Sequence, residues 1–100
     1  MLNSRQRAQL RAMANQLDTI VQIGKGGITE NVVSQTNIAL KARELIKCRV
    51  LENSLMTARE ACDALCEACR AEPVQTIGSK FVIYKMNHDL PADKRIKLVK

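Results

Sequence analysis

The segment from Leu45 to Leu51 alternates between apolar and basic residues, and this pattern constrains the fold more than any other. Positions 46, 48 and 50 are apolar, whereas Lys47 and Arg49 lie between them. Because successive side chains of a β-strand point to opposite faces, the alternation predicts a strand with one buried face and one basic face. A strand covered on both faces would be apolar throughout. We therefore expect a sheet that carries helices and keeps part of one face open.

Three segments have the periodicity of amphipathic helices. Ser4 is predicted to cap a helix that ends near Asn15, and Thr29 to cap a helix that ends near Lys41. The capping box Thr57-Ala58-Arg59-Glu60 predicts the start of a third helix. The buried stripe is expected to consist of Leu10, Met13, Ala14 and Leu17 in the first helix, and of Ala58, Ala61, Cys62, Leu65, Ala68 and Cys69 in the third.

Short apolar runs predict the remaining strands. Thr19–Ile23 is rich in β-branched residues and precedes a glycine turn. After Pro73, which is expected to stop the third helix, the runs Val74–Ile77 and Phe81–Lys85 predict a β-hairpin that turns at Gly78. The predicted order is α-β-α-β-α-β-β, an α/β class in which helices pack on a sheet.

The chain is predicted to form one compact domain over residues 1–86, followed by a basic tail over residues 87–100. The tail is polar and contains one proline, at position 91. A short extra strand is expected in it at Ile96–Val99.

Positive charge is concentrated in the first half of the chain. The 100 residues contain 16 Lys and Arg against 10 Asp and Glu, a net charge of +6. Residues 1–50 hold eight basic and three acidic residues (net +5), whereas residues 51–100 hold eight and seven (net +1). Such an excess favours a polyanionic partner, with solubility alone as the alternative. Phe81 and Tyr84 are the only aromatic residues, which argues against RNA recognition by base stacking.

The turn Gly24-Lys25-Gly26-Gly27 has the residues of an anion site. Glycines let backbone N–H groups approach an anion, the following helix contributes the positive end of its dipole, and Lys25 adds a mobile charge. The spacing matches neither a Walker A loop nor a dinucleotide fingerprint, so no nucleotide cofactor is expected. KH domains clamp a nucleic-acid backbone with a G-x-x-G loop, but there it joins two helices. A purely structural turn remains the alternative.

The cysteines are interpreted as core residues. Cys62, Cys66 and Cys69 have a spacing that resembles a metal site, for which Cys48 or His88 would be the fourth ligand. On a helix, however, the three share a face with apolar side chains, and small apolar cysteines are common in cores. We expect neither a metal nor a catalytic thiol, because His88 lies in the polar tail. A redox role of this helix stays open.

Nothing in the sequence favours an enzyme. Glu60, Asp63 and Glu67 lie on the outer face of the third predicted helix, and Glu60 already belongs to the capping box, so no acid–base pair is evident. Four cysteines without a secretory signal favour a reduced, cytoplasmic protein. No apolar run approaches the roughly 18 residues of a membrane span.

Several linked segments resemble a known family. LNSRQRAQLRAMAN, IVQIGKGGITENVV, ARELIKCRVLEN and AEPVQTIGSKFVIYK cover about residues 2–85 and resemble the YhbY-type proteins. These are the stand-alone bacterial form of the chloroplast RNA splicing and ribosome maturation (CRM) domain. The resemblance implies helices packed on a four-stranded mixed sheet, similar to the C-terminal domain of translation initiation factor 3. It also implies RNA binding through the G-x-x-G loop and association with precursors of the large ribosomal subunit.

Together these features predict a monomeric RNA-binding protein of large-subunit assembly that needs no cofactor. The expected RNA contacts are Gly24, Lys25, Gly26 and Gly27 in the loop, and Arg5, Arg7, Arg11, Lys41, Arg43, Lys47, Arg49 and Lys80 on flanking elements. Phosphate contacts of this kind position RNA but carry little sequence information. The alternative is a protein-interaction module that docks on a ribosomal protein. In that case the isolated chain would bind RNA only by generic electrostatics.

Overall fold

The structure, a computed structural model, describes residues 2–100 and contains three helices and four strands. In chain order these are α1 (Ser4–Ala14), β1 (Thr19–Ile23), α2 (Glu30–Arg43), β2 (Leu45–Val50), α3 (Ala58–Cys69), β3 (Glu72–Ile77) and β4 (Lys80–Tyr84). This order confirms the predicted α-β-α-β-α-β-β arrangement.

The four strands form one mixed sheet with the order β1-β2-β4-β3. β1 runs parallel to β2, and β4 pairs antiparallel with both β2 and β3. The β3–β4 hairpin turns at Gly78, whose φ of +57° explains the glycine there. β3 starts two residues earlier than predicted, at Glu72, because an edge strand tolerates the missing N–H of Pro73.

The helices cover the two faces of the sheet unequally. α2 and α3 pack on one face, where the core includes Ile23, Ile46 and Phe81. On the other face α1 buries Leu10 and Ala14 against apolar residues of β2, β3 and β4. α1 covers only part of that face, and the remainder carries Lys47, Arg49 and Lys80. This confirms the prediction of a partly open, basic face.

Capping interactions set the helix starts and correct one prediction. Asn3, not Ser4, caps α1: its side chain accepts from the Gln6 N–H (2.8 Å), and the Gln6 side chain accepts from the Asn3 N–H (3.0 Å). Only Asn3 has a Gln or Glu three residues later, which completes a capping box. The predicted caps of α2 and α3, Thr29 and Thr57, are confirmed.

The predicted buried stripes need small corrections. In α1, Met13 is exposed, and Leu17 lies beyond the helix, where it packs against the core. In α3, Ala68 is exposed and Cys66 is buried in its place. Met13 and Ala68 lie near the margin of their helix stripes, where the 3.6-residue period alone does not decide burial.

A buried carboxylate holds the segment after β4. Glu44, at the junction of α2 and β2, is fully buried and has a φ of +62°. Its two carboxylate oxygens accept from the backbone N–H groups of Asn87 and Ile96, both at 2.7 Å. Residues 87–96 are thereby fixed against the end of α2.

Residues 96–99 then pack along α1. The Gln6 and Gln9 side chains bond the backbone of residues 97 and 99 at 2.8–2.9 Å. Ile96 and Leu98 pack against the core on the α1 face. The predicted strand at 96–99 is wrong, because these hydrogen bonds go to glutamine side chains rather than to the sheet. The division of the chain at residue 86 stays a prediction.

None of the helices in residues 2–100 combines the length and the apolar character that crossing a membrane requires.

Candidate nucleic-acid interface

The glycine loop is a tight turn at the end of β1. The Gly27 N–H donates to the Gly24 carbonyl over 3.0 Å, so Lys25 and Gly26 occupy the two central positions of a β-turn. Both residues are exposed, and within residues 2–100 their N–H groups have no acceptor. Two adjacent backbone donors and an ammonium group are thus available at the tip of the turn, which suits a phosphate.

The three glycines have different roles. Gly27 alone among them has a positive φ, +70°, so the turn itself requires glycine at that position. At Gly26 a Cβ would lie 3.2 Å from the Thr29 methyl, and at Gly24 it would lie 3.7 Å from Leu51 and Asn53. Backbone conformation therefore explains Gly27, but it does not explain Gly24 or Gly26.

The start of α2 contributes less than expected. The Thr29 hydroxyl accepts from the Val32 N–H over 3.2 Å, and Glu30 lies in the first turn. The Glu30 carboxylate already complements the positive end of the helix dipole. The backbone donors of Lys25 and Gly26, rather than the dipole of α2, are the groups left for an anion.

Two basic residues face each other beside this loop. Arg49 pairs with Lys80 across the β2–β4 ladder, and on its other side Arg49 pairs with Gln22, two residues before Gly24. Like charges directly opposite one another destabilise a sheet. Within residues 2–100 neither side chain has an ion-pair partner. A bound anion would relieve this repulsion.

The remaining basic residue of this face is Lys47, which is half-buried and pairs with Val82. Because it lies two residues before Arg49, its side chain projects from the same face of the sheet. Lys47, Arg49 and Lys80 form what we call the open basic face.

Arg5, Arg7 and Arg11 all lie on α1, which packs on the same side of the sheet as this face. Arg7 and Arg11 are four residues apart and so occupy one row along the helix. Arg5 is five residues from the buried Leu10, about 140° around the helix, and is exposed to solvent. Arg7 and Arg11 therefore share one side of α1, whereas Arg5 lies away from the helix surface that packs on the sheet.

Lys41 and Arg43 lie apart from the loop. They occupy the last turn of α2, a 14-residue helix whose other end carries the loop, so about 20 Å separates them from it. At this end the Lys41 carbonyl accepts from the Asn87 side chain over 2.7 Å. These two residues belong to the neighbourhood of the C-terminal segment.

Sequence reasoning missed the uncharged residues of the open face. Ile20 is 37% exposed and Ile77 is 62% exposed. Gln75 pairs with Val82 and is therefore on the α1 side of the sheet, near Asn15 just after α1. The polar Gln22 between buried Val21 and Ile23 was the available signal, because it indicates that the second face of β1 is not covered.

The four cysteines lie in the core, as the sequence predicted. All four are buried free thiols, and no group of three or more potential ligands that could hold a metal is present in residues 2–100. Burial raises the pKa of the Cys48 thiol to about 12, and it also raises the pKa of Cys69. A hydrogen bond between Cys62 and Cys66 lowers the pKa of Cys62 and raises that of Cys66. The raised pKa values make Cys48, Cys66 and Cys69 poor nucleophiles.

Comparison with known protein families decides where this chain belongs. The model of the CRS1/YhbY (CRM) domain matches residues 2–85. The chain belongs to the CRM family. The match confirms the resemblance seen in the sequence. The matched residues include the glycine loop and all four strands of the sheet.

Relatives of this CRM chain match it over most of its length. It is 41% identical to "Probable RNA-binding protein YqeI" of Bacillus subtilis, over 98% of this chain and 99% of that protein. It is 32% identical to a protein named "RNA-binding protein" in Haemophilus influenzae, over 88% of this chain and 89% of that protein. The solution structure of SAV1595 from Staphylococcus aureus superposes with a TM-score of 0.80 at 43% identity, covering 99% and 100% of the two chains.

Proposed function

We propose that this protein binds RNA through the Gly24–Gly27 loop and the open basic face, and that it acts on precursor ribosomal RNA during assembly of the large ribosomal subunit. The observation that carries the proposal is the Arg49–Lys80 pair beside the loop. A sheet gains no stability from two like charges at directly opposed positions. A phosphate bound between Arg49 and Lys80 would offset the repulsion between their positive charges.

The loop complements this pair. The N–H groups of Lys25 and Gly26 and the Lys25 ammonium provide three donor groups at the end of β1, and Arg49 lies on the adjacent strand. Adjacent strands are about 4.8 Å apart, so the loop and Arg49 can engage neighbouring phosphates of one RNA strand. Contacts of this kind fix the position of RNA without selecting its sequence.

The role in ribosome assembly is proposed from the family. The relatives from B. subtilis and H. influenzae carry RNA-binding in their names. The resemblance to YhbY-type CRM proteins adds the expected association with precursors of the large ribosomal subunit. A small protein that binds the RNA backbone through one surface suits a transient role on an immature subunit. We expect it to act in the cytoplasm as a monomer, without a cofactor and without catalysis.

Crosslinking in cells tests both parts of this proposal. The wild-type chain and an Arg49→Gln/Lys80→Gln variant would be crosslinked to RNA by ultraviolet light, purified and sequenced for bound RNA. We expect the wild type to be enriched on large-subunit RNA, including segments removed during maturation, and the variant to lose that enrichment. Recovery of a ribosomal protein without enriched RNA would instead support the docking alternative and contradict this proposal.

A further inference from the structure

A small cavity opens on the uncovered part of the sheet, next to the open basic face. It has a volume of about 150 Å³ and lies between the end of α1 and strands β2, β3 and β4. Ala14 and Val82, both buried, form its apolar base. An apolar cavity of roughly this volume holds one six-membered ring, since benzene binds in a cavity of about 150 Å³.

The rim of the cavity carries two side-chain amides. Asn15 directly follows the last residue of α1, and Gln75 lies on β3. Each amide offers both a donor and an acceptor. Amides of this kind recognise the edges of nucleobases, which also present donors and acceptors in fixed patterns.

Positive charge completes the cavity. Lys47 and Lys80 both line it, and within residues 2–100 neither takes part in an ion pair. A ring in the cavity would thus have the side chains of Lys47 and Lys80 beside it, and an ammonium group can pair with the phosphate that a nucleotide carries. A neutral apolar ligand would make no ionic contact with these lysines. A nucleotide can pack its ring on the apolar floor of the cavity, form hydrogen bonds with the amides and pair its phosphate with the lysines.

We propose that this cavity takes the base of an unpaired pyrimidine nucleotide in the bound RNA. The inference rests on the proposed function and extends it, because it assigns base recognition to a surface that otherwise contacts only phosphates. A base stacked inside a duplex cannot enter the cavity, so the protein would prefer single-stranded segments. The cavity size favours the single ring of a pyrimidine over the double ring of a purine.

The test compares RNAs with equal charge but different bases. Labelled ten-nucleotide oligouridine, oligocytidine and oligoadenosine, and a ten-base-pair duplex, would be titrated with the full chain at one salt concentration. The three single strands carry equal numbers of phosphates, so differences between their affinities do not arise from charge, and the rim variants below separate base recognition from the stacking of oligoadenosine. We expect one pyrimidine oligomer to bind several-fold more tightly than oligoadenosine.

Variants at the rim then localise the preference. Asn15→Ala and Gln75→Ala should each reduce the pyrimidine-to-adenosine ratio by roughly two- to tenfold, the effect of one net hydrogen bond. Gln16→Ala is the matched control, because Gln16 is exposed next to Asn15 but does not line the cavity. Asn15 is also exposed, so its variant tests the idea even if Gln75→Ala lowers stability in thermal unfolding.

Two failures are distinguishable. If the wild type binds none of the RNAs, the proposed function itself fails. If it binds all three single strands equally, and the rim variants leave the ratio unchanged, RNA binding stands and the pyrimidine cavity is refuted.

Discussion

The three loop glycines should respond differently to alanine, because only one of them is required by the backbone. Gly27 has a φ of +70°, a conformation that costs an L-residue about 1–2 kcal/mol. Alanine also lowers the entropy of the unfolded chain by about 0.4–1 kcal/mol, which offsets part of this cost. Gly27→Ala should therefore lower stability by about 1 kcal/mol, or Tm by about 4–8 °C in a domain of this size.

Gly26→Ala should separate binding from folding. Its φ is not positive, and among residues 2–100 the close neighbour of the new Cβ is the Thr29 methyl at 3.2 Å, which is not the group that caps α2. We expect a change in Tm smaller than that of Gly27→Ala. The new methyl lies at the tip of the turn beside the two free N–H donors, so RNA affinity should fall by about tenfold, or 1.4 kcal/mol.

Gly24→Ala completes this series. Its Cβ would point toward Leu51 and Asn53, at 3.7 Å from each, so it should fit without strain and lower RNA affinity less than Gly26→Ala does. Tm would be measured by circular dichroism, and affinity by fluorescence anisotropy with a labelled single-stranded RNA. If Gly26→Ala unfolds at a lower temperature than Gly27→Ala, the assignment of roles within the loop is wrong.

Further predictions concern buried polar groups away from the loop. Glu44→Gln replaces one of the two oxygens that accept from Asn87 and Ile96 with an NH2 donor, so the free energy of unfolding by denaturant should fall by about 1–3 kcal/mol. An unchanged unfolding midpoint would show that Glu44 does not hold the C-terminal segment in place. The Tyr84 hydroxyl is buried without a hydrogen-bond partner in residues 2–100, so Tyr84→Phe should be neutral or stabilising by about 1 kcal/mol. Burial, with Glu44 and Glu72 nearby, raises the pKa of Tyr84. Wild-type stability should therefore be constant below pH 10, the pKa of tyrosine in the unfolded chain, and should fall as the pH rises above it. In unfolding measurements at pH 9 to 11, the stability of Tyr84→Phe should fall less steeply than that of the wild type. Cys48 should not react with a thiol reagent until the protein unfolds, and rapid labelling of the native protein would show that its burial is not maintained.

Local features of the fold could be predicted because their signals lie within a few residues. The Thr57–Glu60 capping box and the alternation along β2 each specify a geometry that their own side chains complete. The positive φ of Gly78 could likewise be predicted, because Gly78 is the one glycine in the short turn between the apolar runs of β3 and β4. Even the error at Asn3 was local, because the Gln6 that decides between Asn3 and Ser4 is three residues away.

Features that depend on distant residues could not be predicted. Gln6 and Gln9 look like ordinary solvent-exposed residues of α1, yet they bond the chain about 90 residues later. Glu44 likewise looks like a surface charge, but it is fully buried. Sequence reasoning also grouped Lys41 with Lys25 by charge, although the length of α2 separates them.

The most direct test of the account is the salt dependence of RNA binding by two variants with the same change in net charge. Lys25→Gln removes the ammonium at the tip of the loop, whereas Lys94→Gln removes an exposed charge in the C-terminal segment, which is anchored at the opposite end of α2. Affinity for one single-stranded RNA would be measured by anisotropy from low to moderate salt. We predict that Lys25→Gln weakens binding and lowers the slope of log affinity against log salt by about 0.7, one phosphate contact, while Lys94→Gln leaves the slope unchanged. Equal slopes for both variants and the wild type would contradict the claim that the glycine loop holds the RNA backbone.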